Sequence, residues 1–206
     1  MTWWQTLLVT VVGALLGGGL TGYFALQASD KSHVHALDLQ KQNQKKIVMA
    51  FLQALHDEIE TLWETYQSAV GFQLEALQDG YALLVYYPVT QDYFNVYSTN
   101  GFLIGHIEDA DLRKLIVQVY SKSRGLIDSY RMNNDMVGKV EYWGNLHKMT
   151  NNPHYAENAQ VQLAAMAVYA RKMKESHAEL KDLSGQLLRR LRKMGVISEP
   201  EKPASR

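Results

Sequence analysis

The chain has 206 residues, of which 21 are Lys or Arg, 21 are Asp or Glu and none is Cys. Because the two charge types balance, nothing in the composition favours nucleic acid as a partner. Without cysteine the chain forms no disulfide and has no thiolate nucleophile or Cys-ligated zinc. The length allows one N-terminal anchor and one domain of ordinary size.

The first stretch, Met1 to Ser29, contains no Asp, Glu, Lys or Arg. Its interior reads LLVTVVGALLGGGLTGYFAL, which matches the roughly 20 apolar residues that a helix needs to cross a bilayer. A cleaved signal peptide would need a basic first region, a shorter apolar core and a small-x-small cleavage site. We therefore predict a retained transmembrane anchor over residues 1–29, in contact with the lipid bilayer through residues 3–26.

Lysines follow this anchor, and none precedes it. Lys31, Lys41, Lys45 and Lys46 lie close to its end, where the positive-inside rule counts them. The pattern predicts a single-pass protein of the inner (plasma) membrane, with its body in the cytoplasm. In the alternative the body lies outside the cytoplasm, as an envelope spacer of a lytic or secretion assembly.

Small residues recur every four positions within the predicted span, in two adjacent rows. Small residues at this spacing let two helix backbones approach closely. The candidates for transmembrane association are Gly13, Gly17, Gly18 and Gly22. A simpler explanation is that glycine is common in membrane helices.

Apolar residues step by three or four from Val48 to Leu77, which predicts a long amphipathic helix over about residues 34–78. Asp79-Gly80 predicts its end, because glycine readily adopts the left-handed conformation that follows a last helical turn.

The next stretch, from Tyr81 to Ile107, holds seven aromatic residues. We expect a short helix near residues 92–99 within irregular chain. One interpretation of this aromatic segment is a hydrophobic plug at one end of a bundle. The other is a partner-binding surface, because aromatic residues are enriched at interface anchors. The candidate partner contacts are Tyr93, Phe94, Tyr97 and Asn100.

Two further long helices are predicted. One begins near Asp109 or Asp111, either of which can cap it, and extends to about His147. Asn133 lies on its apolar stripe, where a polar group usually fixes packing register and a ligand contact is the alternative. The other helix covers about residues 155–194 and ends at a glycine.

Three long helices with short connections bury their apolar faces best as an antiparallel bundle. The predicted fold is therefore all-α. An N-terminal transmembrane helix precedes an antiparallel bundle of three long helices, and a short helical or irregular aromatic segment joins the first two. The predicted domains are the anchor over 1–29, the bundle over 30–195 and a disordered tail over 196–206.

The sequence lacks the motifs of several catalytic classes. It has no Glu-x-x-His pair of a di-iron bundle, no phosphate-binding glycine loop and no nucleophile elbow. His56 and Glu60 are four residues apart and could share a ligand, although a solvated pair is the simpler interpretation. His177 is interpreted as a packed or edge residue. We expect no enzyme activity, no cofactor and no metal.

Residues 189–193 form the one conspicuous basic cluster. Anionic lipid or nucleic acid could bind such a cluster. The simpler explanation is that cations complement the dipole at a helix C-terminus, and no nucleic-acid partner is expected.

Several short motifs stand out between residues 88 and 128. They are Pro88-Val-Thr-Gln-Asp-Tyr-Phe94, Val96-Tyr-Ser-Thr-Asn100, Ile104-Gly105, Asp111-Leu-Arg113, Ile116-Val117 and Gly125-Leu-Ile-Asp128. This set resembles an uncharacterised family of bacterial single-pass, membrane-anchored helical proteins. The resemblance implies a bacterial inner-membrane setting and no known activity.

These patterns predict a membrane-anchored helical scaffold, sensor or adaptor that acts through protein–protein contacts, with a protein partner or a second copy of the chain. The alternatives are the envelope spacer and a small-ligand binder with a polar site in the bundle. Such a site would lie around Asp128, Arg131 and Asn133.

Overall fold

The structure, a computed structural model, describes residues 3–89 and 93–196, and within the first helix the side chains of residues 4–34 are not described. Every regular element in these ranges is helical, so the prediction of an all-α fold is confirmed. The chain divides into two compact units, Met1–Ile47 and Val48–Arg206.

The first unit contains the N-terminal part of helix α1, which spans Trp3–Tyr66. Described side chains from His35 to Ile47 are all exposed. The predicted association residues lie among residues 4–34, outside the described side chains. They are Gly13, Gly17, Gly18 and Gly22.

The prediction of a transmembrane helix is contradicted. No helix in the described part of the chain is long and apolar enough to cross a bilayer, which takes about 20 mostly apolar residues. The described helices of the second unit place apolar residues on one stripe and charged residues on the other faces, so they pack against each other. The single-pass, inner-membrane localisation is corrected accordingly. The apolar run that suggested it falls within residues 4–34, outside the described side chains.

In the second unit, the C-terminal part of α1 turns Leu52, Leu55 and Ile59 into the core. A π-helical turn, Gln67–Gly71, follows α1 directly and leads into the short helix α2, Phe72–Ala76. Gly80 has a φ of +86°, a conformation that glycine adopts without strain. The chain then leaves helical geometry and is extended over residues 81–89.

The aromatic segment contains helix α3, Asn95–Asn100, and a 3₁₀ helix, Gly101–His106. Helix α4, Ala110–Thr150, begins at Asp109, whose carboxylate accepts hydrogen bonds from the backbone N–H groups of Asp111 and Leu112. This carboxylate satisfies N–H groups that have no partner within the helix.

Helix α5, Pro153–Lys193, follows α4 after two residues. Asn151 adopts a left-handed conformation with φ 52° and ends α4, and the Asn152 side chain accepts from the N–H of His154 and begins α5. Such a short connection makes the two helices an antiparallel hairpin. Their apolar stripes pack with the end of α1 in one core, so the predicted helical bundle is confirmed.

Candidate functional site

An aromatic-lined cavity lies within the second unit, between the end of α1, the aromatic segment, α4 and α5. Its volume is about 80 Å³, and it is partly open to solvent. Its aromatic lining residues are Trp63, Tyr66, Tyr87, Tyr93, Phe94, Tyr120 and Tyr130. Among the described residues that line it, none is Asp, Glu, Lys, Arg or His. The cavity is therefore an uncharged space that offers ring faces and hydroxyl groups.

A chain of hydrogen bonds begins at this lining and runs behind it. The buried His177 side chain has its Nδ1 atom 2.7 Å from the Tyr66 hydroxyl and its Nε2 atom 2.7 Å from Glu75 Oε1. The Tyr66 hydroxyl is in turn 3.3 Å from the Tyr130 hydroxyl. Lys181 Nζ donates to the same Glu75 oxygen at 2.7 Å. We call Tyr130, Tyr66, His177 and Glu75 the relay.

The π-helical turn lets Tyr66 and Glu75 reach the same histidine. Nine residues of regular α-helix turn by about 900°, which would place the two side chains on opposite faces. The wider turn at Gln67–Gly71 reduces this rotation, and both side chains contact His177.

The electrostatics fix the charge of one end of the relay. Hydrogen bonds from Lys181 and His177 lower the pKa of Glu75 to about 2, so this carboxylate is ionised near neutral pH. Burial raises the pKa of Tyr130 to about 12, and burial also raises the pKa of Tyr66. Both phenols therefore keep their protons and act as neutral hydroxyl groups.

A second carboxylate, Glu58 of α1, holds the wall of the cavity. It accepts hydrogen bonds from the Tyr120 hydroxyl at 2.7 Å, from the Val96 N–H at 2.7 Å and from the Tyr97 N–H at 3.3 Å. The Tyr97 ring stacks on Tyr120 with centroids 3.9 Å apart. Glu58 thus ties helix α3 to α1 and α4.

The predicted partner contacts lie in this wall. Tyr93 and Phe94 line the cavity, and Phe94 is buried. Tyr97 stacks on Tyr120, and the Asn100 side chain donates to the Val96 carbonyl within its own helix. Phe94 and Tyr97 both pack on the Tyr120 ring, and the role of the four residues in binding a partner stays a prediction.

The extended segment is bound to α4 by two adjacent asparagines. Asn133 Nδ2 donates to the Leu83 carbonyl at 3.2 Å and to the Val85 carbonyl at 3.1 Å. Asn134 accepts from the Tyr87 N–H and donates to the Tyr87 carbonyl. The polar residue on the α4 stripe therefore fixes the path of a neighbouring segment.

The polar site expected around Asn133 is not assembled. Asp128 and Arg131 form an exposed ion pair at 2.8 Å, whereas Asn133 is buried. Asp128 and Arg131 are three residues apart and share a face of α4, whereas Asn133, two residues after Arg131 and five after Asp128, lies on another face.

Two arginines of the basic cluster at the end of α5 form ion pairs. Arg190 pairs with Asp109 at 2.6 Å, and Arg192 pairs with Glu60 and lies 3.3 Å from Nε2 of the buried His56. His56 and Glu60 thus contact a cation of the protein itself. These ion pairs link the end of α5 to the beginning of α4 and to the C-terminal part of α1.

No pattern in the sequence connects the residues of the relay. Glu75 and His177 are 102 positions apart, and no short motif contains both. The available signal was the histidine on an otherwise apolar stripe of α5, because a buried imidazole needs polar partners.

We expect the Glu75 network to stabilise the fold in a pH-dependent way. The pKa of Glu75 in the folded chain, about 2, lies below its ordinary value of 4.5. The stabilisation is therefore complete above about pH 4.5 and is lost as the pH falls towards 2. Urea midpoints of the wild type and of Glu75→Gln should differ at pH 7 and converge over this range. Glu64→Gln, at an exposed position, is the control; a constant difference would contradict the expectation.

Comparisons of the chain with protein-family models, with curated proteins and with solved structures found no match.

Proposed function

We propose that this protein is a helical sensor or adaptor whose bundle binds a small, uncharged, largely aromatic ligand. The observation that carries the proposal is the partly open cavity of about 80 Å³ that is lined by seven aromatic side chains. Ligand sites are typically apolar concavities with a few polar groups that fix orientation. The cavity has both features, since rings make up much of its lining and several of these rings carry hydroxyl groups.

The uncharged lining selects against ions. A charged ligand that enters an apolar cavity loses its hydration and must find an opposite charge there. The described lining offers no such charge. A neutral aromatic molecule loses little hydration and gains edge-to-face and stacked contacts with the rings.

The wall gives the bound ligand a way to affect the protein surface. Tyr93 and Phe94 belong to the aromatic segment, whereas Trp63, Tyr66 and Tyr130 belong to the long helices. A ligand between them contacts both parts, so it favours the arrangement in which the segment is held in place. A protein partner or a second copy of the chain would then bind according to the position of the aromatic segment.

The proposal is tested by a substitution on α4 that places a large side chain in the cavity. Ser123 of α4 lines the cavity and donates to the Val119 carbonyl four residues earlier. We expect wild-type protein to bind the neutral fluorophore N-phenyl-1-naphthylamine with a dissociation constant on the order of 10 µM. Ser123→Trp places an indole in the cavity and should weaken binding at least about tenfold.

Ser129 provides the matched control. It makes the same bond on the same helix, to the Gly125 carbonyl, but does not line the cavity. Ser129→Trp should bind the fluorophore like the wild type. Circular dichroism and thermal melting must show that both variants are folded. Equal binding by the two folded variants, or no binding by the wild type, would contradict the proposal.

A further inference from the structure

Helix α5 carries apolar side chains on a face that is exposed to solvent. Val161 is 66% exposed and Val168 is 53% exposed, and Ala164 and Ala165 between them are also exposed. Spacings of three, four and seven residues place all four on one face of the helix. Single exposed apolar residues are ordinary at a protein surface, whereas these four lie on neighbouring turns. We call them the α5 patch.

The α5 patch is separate from the apolar stripe that holds α5 in the bundle. That stripe includes the buried Met166 and Ala170, which at 100° per residue lie on roughly the opposite side of the helix. Further along the outer face, the exposed residues are Glu175, Glu179 and Asp182. The outer face is therefore apolar only at the patch, and packing within the chain does not account for it.

Charged residues flank the α5 patch symmetrically. Glu157 lies four residues before the first valine, and Lys172 lies four residues after the second. Both are exposed, and the spacing of four residues places them on the face of the patch. From Glu157 to Lys172 the helix rises about 22 Å. The midpoint of this stretch falls between the two alanines, so an acid at one end is matched by a base at the other.

A second copy of α5 that packs antiparallel on this face matches it at every turn. In a two-fold symmetric contact, a residue i that contacts a residue j is itself contacted by i of the other copy through j. With the axis between the two alanines, each Val161 meets Val168 of the second copy, and each Glu157 meets Lys172. The central alanines allow a short distance between the helix axes. A parallel pair would instead place like charges side by side.

The next charged residues extend the same symmetry. His154 lies three residues before Glu157, and Glu175 lies three residues after Lys172. Within the chain, His154 Nδ1 lies 3.9 Å from Glu157 Oε2, and the two side chains are 68% and 76% exposed. An exposed ion pair of this kind contributes little to stability, so both side chains are able to turn towards a second copy.

We propose that two copies of the chain associate through their α5 patches as an antiparallel, two-fold symmetric pair. The valines and alanines form the apolar centre of the contact, and two Glu157–Lys172 ion pairs flank it. None of these residues is among those that line the aromatic cavity, so the contact is independent of the proposed ligand site. A contact along one helix face is small beside the interfaces of permanent dimers, and we expect a dissociation constant on the order of 10 µM.

Sedimentation velocity of the full chain at micromolar concentrations measures the association. Glu157→Lys sets lysine against lysine at both ends of the contact and should weaken it at least about tenfold. Adding Lys172→Glu to the same chain restores opposite charges across the axis and should return the dissociation constant to within about threefold of the wild type. Glu141→Lys makes the same change in net charge at an exposed position of α4 and should associate like the wild type.

Circular dichroism must show that these variants are folded, as surface substitutions of this kind allow. A wild type that stays monomeric at these concentrations would overturn the inference. Unchanged association of Glu157→Lys, or failure of the double variant to recover, would overturn it as well. The proposed ligand site would stand in each case, because fluorophore binding is measured separately.

Introduced cysteines test the antiparallel register, since the chain has no cysteine of its own. A disulfide requires Cα atoms within about 7 Å. Val161→Cys mixed with Val168→Cys should form a mixed disulfide on oxidation, which a tag on one variant identifies by mass. Either variant alone should crosslink poorly, because the same position in the second copy is displaced by about 10 Å along the helix. Crosslinking of each variant with itself as readily as with the other would contradict the antiparallel pair.

Discussion

Replacing Asn133 by Asp should destabilise the second unit by about 3–5 kcal/mol, the cost of an uncompensated buried charge. Asn133 is fully buried, and its amide group donates to the carbonyl oxygens of Leu83 and Val85. The substitution removes both N–H donors and directs a carboxylate at two carbonyl oxygens. Urea unfolding at pH 7, followed by circular dichroism, measures the effect.

The pH dependence of this variant identifies the cause. A buried carboxylate next to carbonyl oxygens has a raised pKa because its charged form is disfavoured. Its protonated form can donate to one of the two carbonyls, so the destabilisation should shrink as the pH falls below about 5. Asn145→Asp makes the same change at an exposed position of α4 and should cost less than about 0.5 kcal/mol. A similarly small effect at Asn133 would contradict its role in holding the extended segment.

Replacing Glu58 by Ala should cost about 3 kcal/mol of unfolding free energy, since hydrogen bonds to charged groups contribute roughly 1.5–3 kcal/mol each and are not additive. One carboxylate accepts from the Tyr120 hydroxyl and from the N–H groups of Val96 and Tyr97. Its loss leaves a buried phenol and two backbone donors without this acceptor. Binding of N-phenyl-1-naphthylamine should weaken as well, because α3 is no longer tied to the cavity wall.

A double-mutant cycle separates the Tyr120 bond from the backbone bonds. Glu58→Ala, Tyr120→Phe and the double variant should show a coupling of about 1–2 kcal/mol by urea unfolding. Glu64→Ala, at an exposed position of α1, is the control and should change stability by less than about 0.5 kcal/mol. Strictly additive effects would mean that Glu58 does not hold Tyr120.

Much of the fold follows from local patterns in the sequence. Apolar spacing predicted the long helices of the bundle, and Asp109 and Pro153 lie where helices α4 and α5 begin. These features depend on neighbours within a few residues, so the sequence displays them directly. The transmembrane prediction also used a local property, the length of an uncharged run, and no described helix meets the requirement for a span.

The candidate site was predicted only in part. Tyr93 and Phe94 stood out because the aromatic segment is rich in rings, and both line the cavity. The relay could not be predicted, because it joins α1, α2, α4 and α5 through contacts between distant positions. The π-helical turn at Gln67–Gly71, which aligns Tyr66 with Glu75, contains a glycine whose added Cβ atom would lie 2.6 Å from Gln67 Oε1, but one glycine in a helical pattern does not identify such a turn.

The short connection between α4 and α5 has a consequence for how the chain acquires its site. Two helices of 41 residues each, joined by two residues, form contacts near the connection at small sequence separation, and such contacts form fastest during folding. The relay instead requires residues up to 111 positions apart, so it closes only when α1 and α2 dock on this hairpin. In a partly folded chain, the helices can therefore be formed while the cavity is not. A ligand of the proposed class would bind the native state alone, and each tenfold excess of it above the dissociation constant would add about 1.4 kcal/mol to the stability of that state.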